Sequence, residues 1–431
     1  MSKKLNRRGF LSTSAVTAVT LPVLTATNRA SVIGAGERLR IGIIGCGSIG
    51  TAHLGALLKQ FRTGGVEIVA VCDIYKTRAA HFQDRIWKAG GHADRYSDYR
   101  NLLETEGLDY VVVAVPEHWH AQITLDALDC GLHVYCEKPL AYDLEGAKQV
   151  VDKVHSSGKL LQVGVQGMSE DSYVTAREAI RAGKLGPVVE AQIDFVRNFP
   201  LGRGPWRTGV DPDLPKPADL DWETWLGPAP KRPWSPARYF EWRCYRDYSG
   251  GIATDVFPHP LTRILRACDL QFPLRVTGMG GIYLWDDGRE LPDNFEMLLE
   301  YPAVEGVTAG MTVHVLGTFG NKHGIDHVIR GHKATLQFTD FGWQIVEQSP
   351  GYLPAPPDER NIIEKHQKTG AEEIILHHKN LQQAIRQGDP LNCPAELGLY
   401  AVAAVVGANQ SWFDKRMLNW DSKRQQWDKM S

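Results

Sequence analysis

The chain has 431 residues, more than one ordinary core takes and enough for two domains. Hydrophobic residues make up 43% and charged residues 23%, as in ordinary globular chains, and a net charge of −2 offers no basic field for nucleic acid. No apolar run approaches the length of a bilayer span.

Residues 1–30 read as an address rather than as fold. Lys3, Lys4, Arg7 and Arg8 make a charged n-region, Leu11 to Leu24 a mild apolar segment, and Ala26 and Ala30 supply small residues for cleavage. Arg7-Arg8-Gly9-Phe10-Leu11 resembles a twin-arginine export signal, with Asn6 where Ser or Thr is usual. The expected destination is the periplasm. The seven cysteines are an odd number and include no C-x-x-C pair, so neither a zinc site nor a redox dithiol is expected, and no metal is assigned.

The stretch Leu39 to Ile44 is apolar and rich in β-branched residues, which predicts a buried strand. It breaks into Gly45-Cys46-Gly47-Ser48-Ile49-Gly50, a G-x-G-x-x-G turn, and a helix is expected from Thr51 to Gln60. Gly45 permits the tight turn, Gly47 lets a pyrophosphate approach the backbone, and Gly50 lets the helix pack closely on the sheet. Ser48 and Ile49 belong to the same loop, whose N–H groups and helix dipole face the phosphates. A second strand, Val66 to Cys72, ends in Asp73, placed to accept from a ribose 2′-OH. Strand, glycines, helix, strand and acid thus predict a dinucleotide site. Asp73 favours NAD over NADP because it repels a 2′-phosphate, although Lys76 and Arg78 stand nearby.

Strand and helix continue to alternate up to Gln166. Asp109 to Val115 is a continuous apolar strand stopped by Pro116; His133 to Glu137 is the next strand; Asp143 to Ser157 is a helix with Asp143 as N-cap and Gly158 as stop; Leu160 to Val165 is a further strand. Residues 37–166 are therefore expected to form a doubly wound parallel sheet. Residues 167–431 change pattern. A helix near Ser172 to Ala182 precedes alternating strands at Val188–Arg197, Leu274–Trp285, Asn294–Tyr301, Val307–Val315, Ile325–Gly331 and Ala334–Phe338, which predict a large open, mostly antiparallel sheet. Helices close the chain at Glu372–Gln387 and Pro394–Phe413. Between Asn198 and Tyr248 lies a long proline-rich segment holding Trp206, Trp222, Trp225, Trp234 and Trp242; these either stack on a sugar ring or pin the loop.

Two further stretches carry chemistry. Glu137-Lys138-Pro139 ends a parallel strand, the edge at which open α/β sheets bind ligands. Glu117, His118, Trp119 and His120 end the preceding strand and are expected to line the cleft. Gly250-Gly251 leads to Asp255 and His259; on one helix these would share a face, and the acid would orient the imidazole as a general base.

With these residues in view, the chain resembles the glucose–fructose oxidoreductase/inositol dehydrogenase family (Gfo/Idh/MocA), in its exported, twin-arginine form. The likeness rests on the glycine loop, Val115-Pro-Glu-His-Trp-His-Ala121, Glu137-Lys-Pro-Leu140, Asp221-Trp-Glu-Thr-Trp-Leu-Gly-Pro-Ala229 and the Gly-Gly…Asp…His stretch. The resemblance implies a Rossmann domain followed by an α/β domain with a large sheet, often paired into homodimers or homotetramers. It implies that Lys138, Asp255 and His259 surround a carbohydrate carbon facing the nicotinamide, with Trp206 and Tyr248 also expected to touch substrate. Pro116, His118, His120, Glu137, Lys138 and Gln166 are expected to line the cofactor cleft. The sequence departs from the family at Pro258 and Pro260, which are tolerated only in a first turn, at Thr262, and at Gln166-Gly-Met168. The activity implied is hydride transfer from a secondary hydroxyl of a sugar, cyclitol or glycoside to NAD. Because the export route carries folded proteins, the cofactor is expected to be inserted early and retained. Two alternatives share these residues: a redox-neutral glycosidase that oxidises, eliminates, hydrates and reduces, and a non-catalytic ligand sensor.

Overall fold

A computed structural model of the chain describes residues 38–351 and 361–428. The export-signal segment lies outside the described residues.

The first domain is a six-stranded parallel sheet. Its strands are β1 (Leu39–Ile44), β2 (Val66–Cys72), β3 (Asp94–Tyr96), β4 (Tyr110–Val113), β5 (His133–Glu137) and β6 (Leu161–Gly164), in the order β3-β2-β1-β4-β5-β6. The helices α1 (Ser48–Arg62), α2 (Lys76–Lys88), α3 (Tyr99–Leu103), α4 (His120–Asp129) and α5 (Leu144–Ser157) lie between them. The continuous apolar runs arise from burial on both faces: Ile41, Ile43, Val111 and Val112 are all inaccessible. The α5 boundaries follow their local signals, since Asp143 accepts from the Gly146 N–H and Gly158 adopts φ 65°. Strand order reverses between β1 and β4, which opens a crevice at their carboxyl ends.

After α6 (Ser172–Arg181) the chain builds an eleven-stranded sheet. The path begins with β7 (Val188–Asn198). It then runs through the short helices α7 (Trp222–Leu226) and α8 (Pro236–Phe240) into α9 (Pro258–Ala267). β8 (Arg275–Gly281), β9 (Asn294–Tyr301), β10 (Met311–Thr318), β11 (Gly320–Asn321), β12 (Val328–Gly331), β13 (Ala334–Thr339), β14 (Gly342–Glu347) and β15 (Ile362–Gln367) follow. Helices α10 (Ile374–Gln387) and α11 (Ala395–Asp414) and the hairpin β16 (Leu418–Asp421)–β17 (Gln426–Trp427) complete it. All pairings in this sheet are antiparallel except β7 with β10, so the sheet is mixed at its centre. The sequence reading missed β3, β11 and β14 to β17, all short segments of two to six residues. α9 and α11 cover one face of the sheet; α11 also touches α5, and α10 lies on α1, tying the end of the chain to the first domain.

The tryptophan-rich segment is ordered by a core of its own. Trp222 and Trp225 stack at 4.9 Å, and Trp234, Tyr239 and Tyr248 close around them. It is strapped to the first domain where the Asp221 N–H donates to Ile74 and the Thr77 N–H donates to the Asp219 carboxylate at 2.9 Å.

Candidate functional site

The glycine loop builds the floor of the crevice. Gly45 has φ +96°, and a Cβ there would stand 2.3 Å from the Ala114 carbonyl oxygen. At Gly50 a Cβ would stand 2.1 Å from the Gly45 carbonyl oxygen, so the close approach it permits is to the loop itself rather than to the body of the sheet. Gly47 is different: the nearest atom to its added Cβ is Arg78 Nη1 at 4.0 Å, so the space above it is open. Gly47 also caps α1 without a side chain, and no acidic residue stands in the first turn, which leaves the helix N-terminus suited to phosphate. The Asp73 carboxylate is positioned by the N–H groups of Cys46 (2.7 Å) and Tyr75 (2.8 Å). Burial raises its pKa, opposed by those two bonds. An open backbone cradle beside a buried, oriented carboxylate fits the pyrophosphate and ribose of a dinucleotide. Ser48, Ile49 and Pro116 line the cleft, and Thr224, Trp225, Tyr239 and Trp242 of the tryptophan loop roof it.

A second cavity continues from the first. Ser48, Ile49, Val115, Trp242 and Arg243 line both. Its own walls bring together Glu117, His120, Glu137, Lys138, Gln166, Trp206, Asp255 and His259. Lys138, at the end of β5, donates to both the backbone carbonyl and Oδ1 (3.0 Å) of Asp255. Arg243 Nε donates to the same Oδ1 at 2.8 Å. Burial opposes ionisation of Asp255, but Arg243 and Lys138 hold its carboxyl well below the ordinary range.

The expected pairing of Asp255 with His259 does not form. Asp255 lies in a π-helical turn, Ile252–Val256, and α9 starts only at Pro258, so the four-residue spacing does not put the two on one helical face. Among the described residues His259 Nδ1 has no hydrogen-bond partner. Burial, and then the neighbouring Lys138 ammonium, depress the imidazole to about 4, so it is neutral at neutral pH.

Other expectations separate. Gln166 donates to Glu137 at 2.9 Å and faces the cavity. Trp206 reaches the wall with a φ of 63°, which is strained for a side chain of its size. His120 also faces the cavity, with its ring between the carbonyls of Pro139 and Val115. His118 does not line either cavity: its Nε2–H donates to the Trp225 carbonyl at 2.9 Å, and its ring packs against Trp225 and Tyr248. Tyr248, expected at the substrate, is inaccessible and belongs to the core of the tryptophan loop. The five tryptophans divide in function: Trp222, Trp225 and Trp234 hold the loop, whereas Trp206 and Trp242 face the second cavity.

Three more residues complete the site: Arg243, which sequence reasoning passed over, and Arg78 and Glu117, which it placed near the cleft without a role. Arg243 neutralises Asp255 and lies over Trp242, 4.2 Å from its ring centroid. Only the Trp-Arg adjacency signalled it. Arg78 sits at the mouth of the cleft against Tyr75, Tyr239 and Phe240. Glu117 is fully enclosed and accepts from Ser249 Oγ (2.7 Å), Thr254 Oγ1 (2.7 Å) and the Gly250 N–H (3.3 Å), which fixes the glycine turn ahead of Asp255. Burial, then Asp255, push its pKa up to about 7.

Comparison with known proteins agrees with this geometry. Residues 39–165 match the profile of an oxidoreductase family with an NAD-binding Rossmann fold, and residues 180–277 match that family's C-terminal alpha/beta domain. The inositol 2-dehydrogenase of Salmonella typhimurium is 34% identical over 149 residues, 34% of this chain and 43% of that protein. The inositol 2-dehydrogenase/D-chiro-inositol 3-dehydrogenase of Lactiplantibacillus plantarum is 33% identical over 189 residues, 43% of this chain and 52% of that protein. The matched stretch thus spans about half the length of these relatives. Among solved structures, levoglucosan dehydrogenase in complex with NADH and levoglucosan aligns with a TM-score of 0.64 at 17% identity, covering 89% of this chain and 99% of that one. The WlbA dehydrogenase from Bordetella pertussis, in complex with NADH and UDP-GlcNAcA, aligns equally well, with the same identity and coverage. At that identity the likeness concerns the fold. The two profiles, which follow one another along the same two domains seen in the structure, place this chain in the Gfo/Idh/MocA family of NAD-binding oxidoreductases.

Proposed function

We propose that the protein oxidises a secondary hydroxyl of a sugar, cyclitol or glycoside with NAD as hydride acceptor. The observation that carries this reading is the continuity of the two cavities. Lys138, Asp255 and His259 line a chamber whose other walls, Ser48, Ile49 and Val115, are also walls of the glycine-loop cleft. A nicotinamide bound there would take the hydride from the carbinol carbon. His259, neutral at working pH, accepts the hydroxyl proton. Lys138 stabilises the developing alkoxide, and Asp255 holds the ammonium in place. Trp206 and Trp242 offer apolar faces to a ring.

Retention of the cofactor is part of the proposal. The tryptophan loop supports it by roofing the cleft and being hydrogen-bonded to the start of α2 through Asp219. So does the twin-arginine-like N-terminus, through which export of the loaded protein to the periplasm is proposed; replacing Arg7 and Arg8 by Lys should abolish export. The exposed face of the large sheet carries Met279 and Leu298, opposite the side covered by α9 and α11, and is proposed to pair with a second copy. Light scattering on the purified protein reads that assembly.

The test of the reaction is to incubate purified protein with a panel of sugars, cyclitols and glycosides. Absorbance of reduced nicotinamide and release of product are followed together. Substrate-dependent reduction without bond cleavage supports the dehydrogenase. Glycoside cleavage without net reduction replaces it with the redox-neutral glycosidase, and no turnover with ligand-dependent fluorescence replaces it with a sensor.

A further inference from the structure

Behind the second cavity, between the parallel sheet and α10, lies a buried chain of polar side chains. Glu137 Oε1 is 3.0 Å from His53 Nε2. His53 Nδ1 is 2.9 Å from His378 Nε2, and His378 Nδ1 is 3.3 Å from the Tyr110 hydroxyl. Gln382 Nε2 donates to that hydroxyl at 3.1 Å and to Gln60 Oε1 at 2.6 Å; Gln60 Nε2 donates to the Ile375 carbonyl at 3.2 Å. His53, His378 and Tyr110 are inaccessible, and Tyr135 stacks on His378 at 4.4 Å. His53 comes from α1 and His378 and Gln382 from α10, so no single element contains the chain.

The two ends dictate its polarity. At the far end a backbone carbonyl can only accept, which orients the Gln60 amide. That orientation turns the Gln382 amide nitrogen toward Gln60 and Tyr110. With one lone pair engaged, the Tyr110 hydroxyl points its proton at His378 Nδ1. His378 then carries its proton on Nε2 and donates to His53 Nδ1, and His53 carries its proton on Nε2 and donates to Glu137. The reverse order would set a bare imidazole lone pair against the carboxylate at 3.0 Å. The amides of Gln60 and Gln382 pass no proton, so the chain polarises without conducting.

We propose that His53 and His378 are positioning residues, neutral Nε2–H tautomers whose aligned donors keep Glu137 a carboxylate and thereby set the charge beside Lys138 and His259. The proposal rests on the dehydrogenase reading for its kinetic consequence, but not for the tautomers themselves. Burial disfavours the Glu137 carboxylate; the hydrogen bonds from His53 and Gln166 and the neighbouring Lys138 ammonium favour it, and its pKa lies below the usual value. Tyr135, Cys136, His120, His377 and Arg243 are the other titratable groups that feel Glu137. His259 in turn faces Lys138, Glu137, Glu372 and Arg263. Burial holds His378 far below the usual imidazole range, which agrees with a neutral ring.

Two experiments test this. In protein labelled with ¹⁵N-histidine, long-range ¹H–¹⁵N spectra assigned through His53→Gln and His378→Gln should show both rings as neutral Nε2–H tautomers at pH 7. An imidazolium at His53, or an Nδ1–H tautomer at either ring, would overturn the proposal whatever the protein catalyses. For turnover, His53→Leu should move the acid limb of the kcat–pH profile upward by a tenfold or larger change in proton concentration. His53→Gln, which can accept from His378 and donate to Glu137, should restore it. If both variants lower Tm equally while the profile stays put, the chain is structural only and the proposal fails. If the tautomers are as stated and no substrate turns over, the dehydrogenase reading fails instead.

Discussion

The Asp255 carboxylate is hydrogen-bonded not to His259 but to the Lys138 ammonium at 3.0 Å, with Arg243 Nε on the same oxygen at 2.8 Å. One buried anion therefore holds two cations at the chamber wall. Asp255→Asn should lower kcat by on the order of 10²-fold, because the Lys138 ammonium, proposed to stabilise the alkoxide, loses its anchor. It should also destabilise the fold by about 1.5–3 kcal/mol, since two partly buried cations lose the charged acceptor they share. Initial rates and urea midpoints measured on the same preparation check both.

The glycine loop allows binding to be separated from folding. Gly47→Ala places a methyl in open space, 4.0 Å from the nearest side-chain atom, so Tm should stay within a few degrees. Nucleotide affinity should fall at least tenfold, about 1.4 kcal/mol, because the methyl occupies the approach of the pyrophosphate. Gly50→Ala should do the reverse and lower Tm strongly, since its methyl would stand 2.1 Å from a carbonyl oxygen. Differential scanning fluorimetry with and without NAD distinguishes the two.

Asp73→Ala should raise the NAD dissociation constant and leave NADP less affected, because Arg78 remains at the mouth of the cleft to meet a 2′-phosphate. Fluorescence titration with NADH and NADPH reads the ratio. An unchanged NADH constant would remove Asp73 from the ribose site.

Acid sensitivity follows from buried neutral imidazoles. His118, His259 and His377 each fold with a pKa lowered to about 4 from 6.5, burial being the leading cause. Between those values the unfolded chain binds more protons than the folded one, so stability rises with pH and is lost as pH falls from 6.5 toward 4. Each ring accounts for on the order of 3 kcal/mol over that window. Glu117, raised to about 7 from 4.5, acts in the opposite sense over the range from 4.5 to 7. Urea midpoints at pH 5 should lie well below those at pH 7, and His118→Phe should flatten the difference.

Much of the first domain was legible in order along the chain. The apolar runs, the glycine turn, Asp73, and the Asp143 and Gly158 signals are local, and each acts within a few residues of itself. Lys138 was legible for the same reason, because the end of a parallel strand has a defined place in such a sheet. The reading failed where distance along the chain conceals distance in space. Asp255 and His259 are four residues apart, but a π-turn and two prolines separate their faces. Asp255 and Lys138 are 117 residues apart and hydrogen-bonded. Tyr248, next to the glycine turn in sequence, is taken into the tryptophan core.

The sequence alone determined the strand–glycine–helix cradle and the acid that faces it, because the backbone freedom of Gly45, the missing side chain of Gly47 and the β-branched runs around them are local properties of the chain. Only tertiary structure decided which groups share the chamber. Arg243 from the loop and Asp255 from a π-turn meet there, and His53 from α1 and His378 from α10 meet behind it, because burying polar side chains requires each to find a partner, and those partners come from segments far apart in the chain.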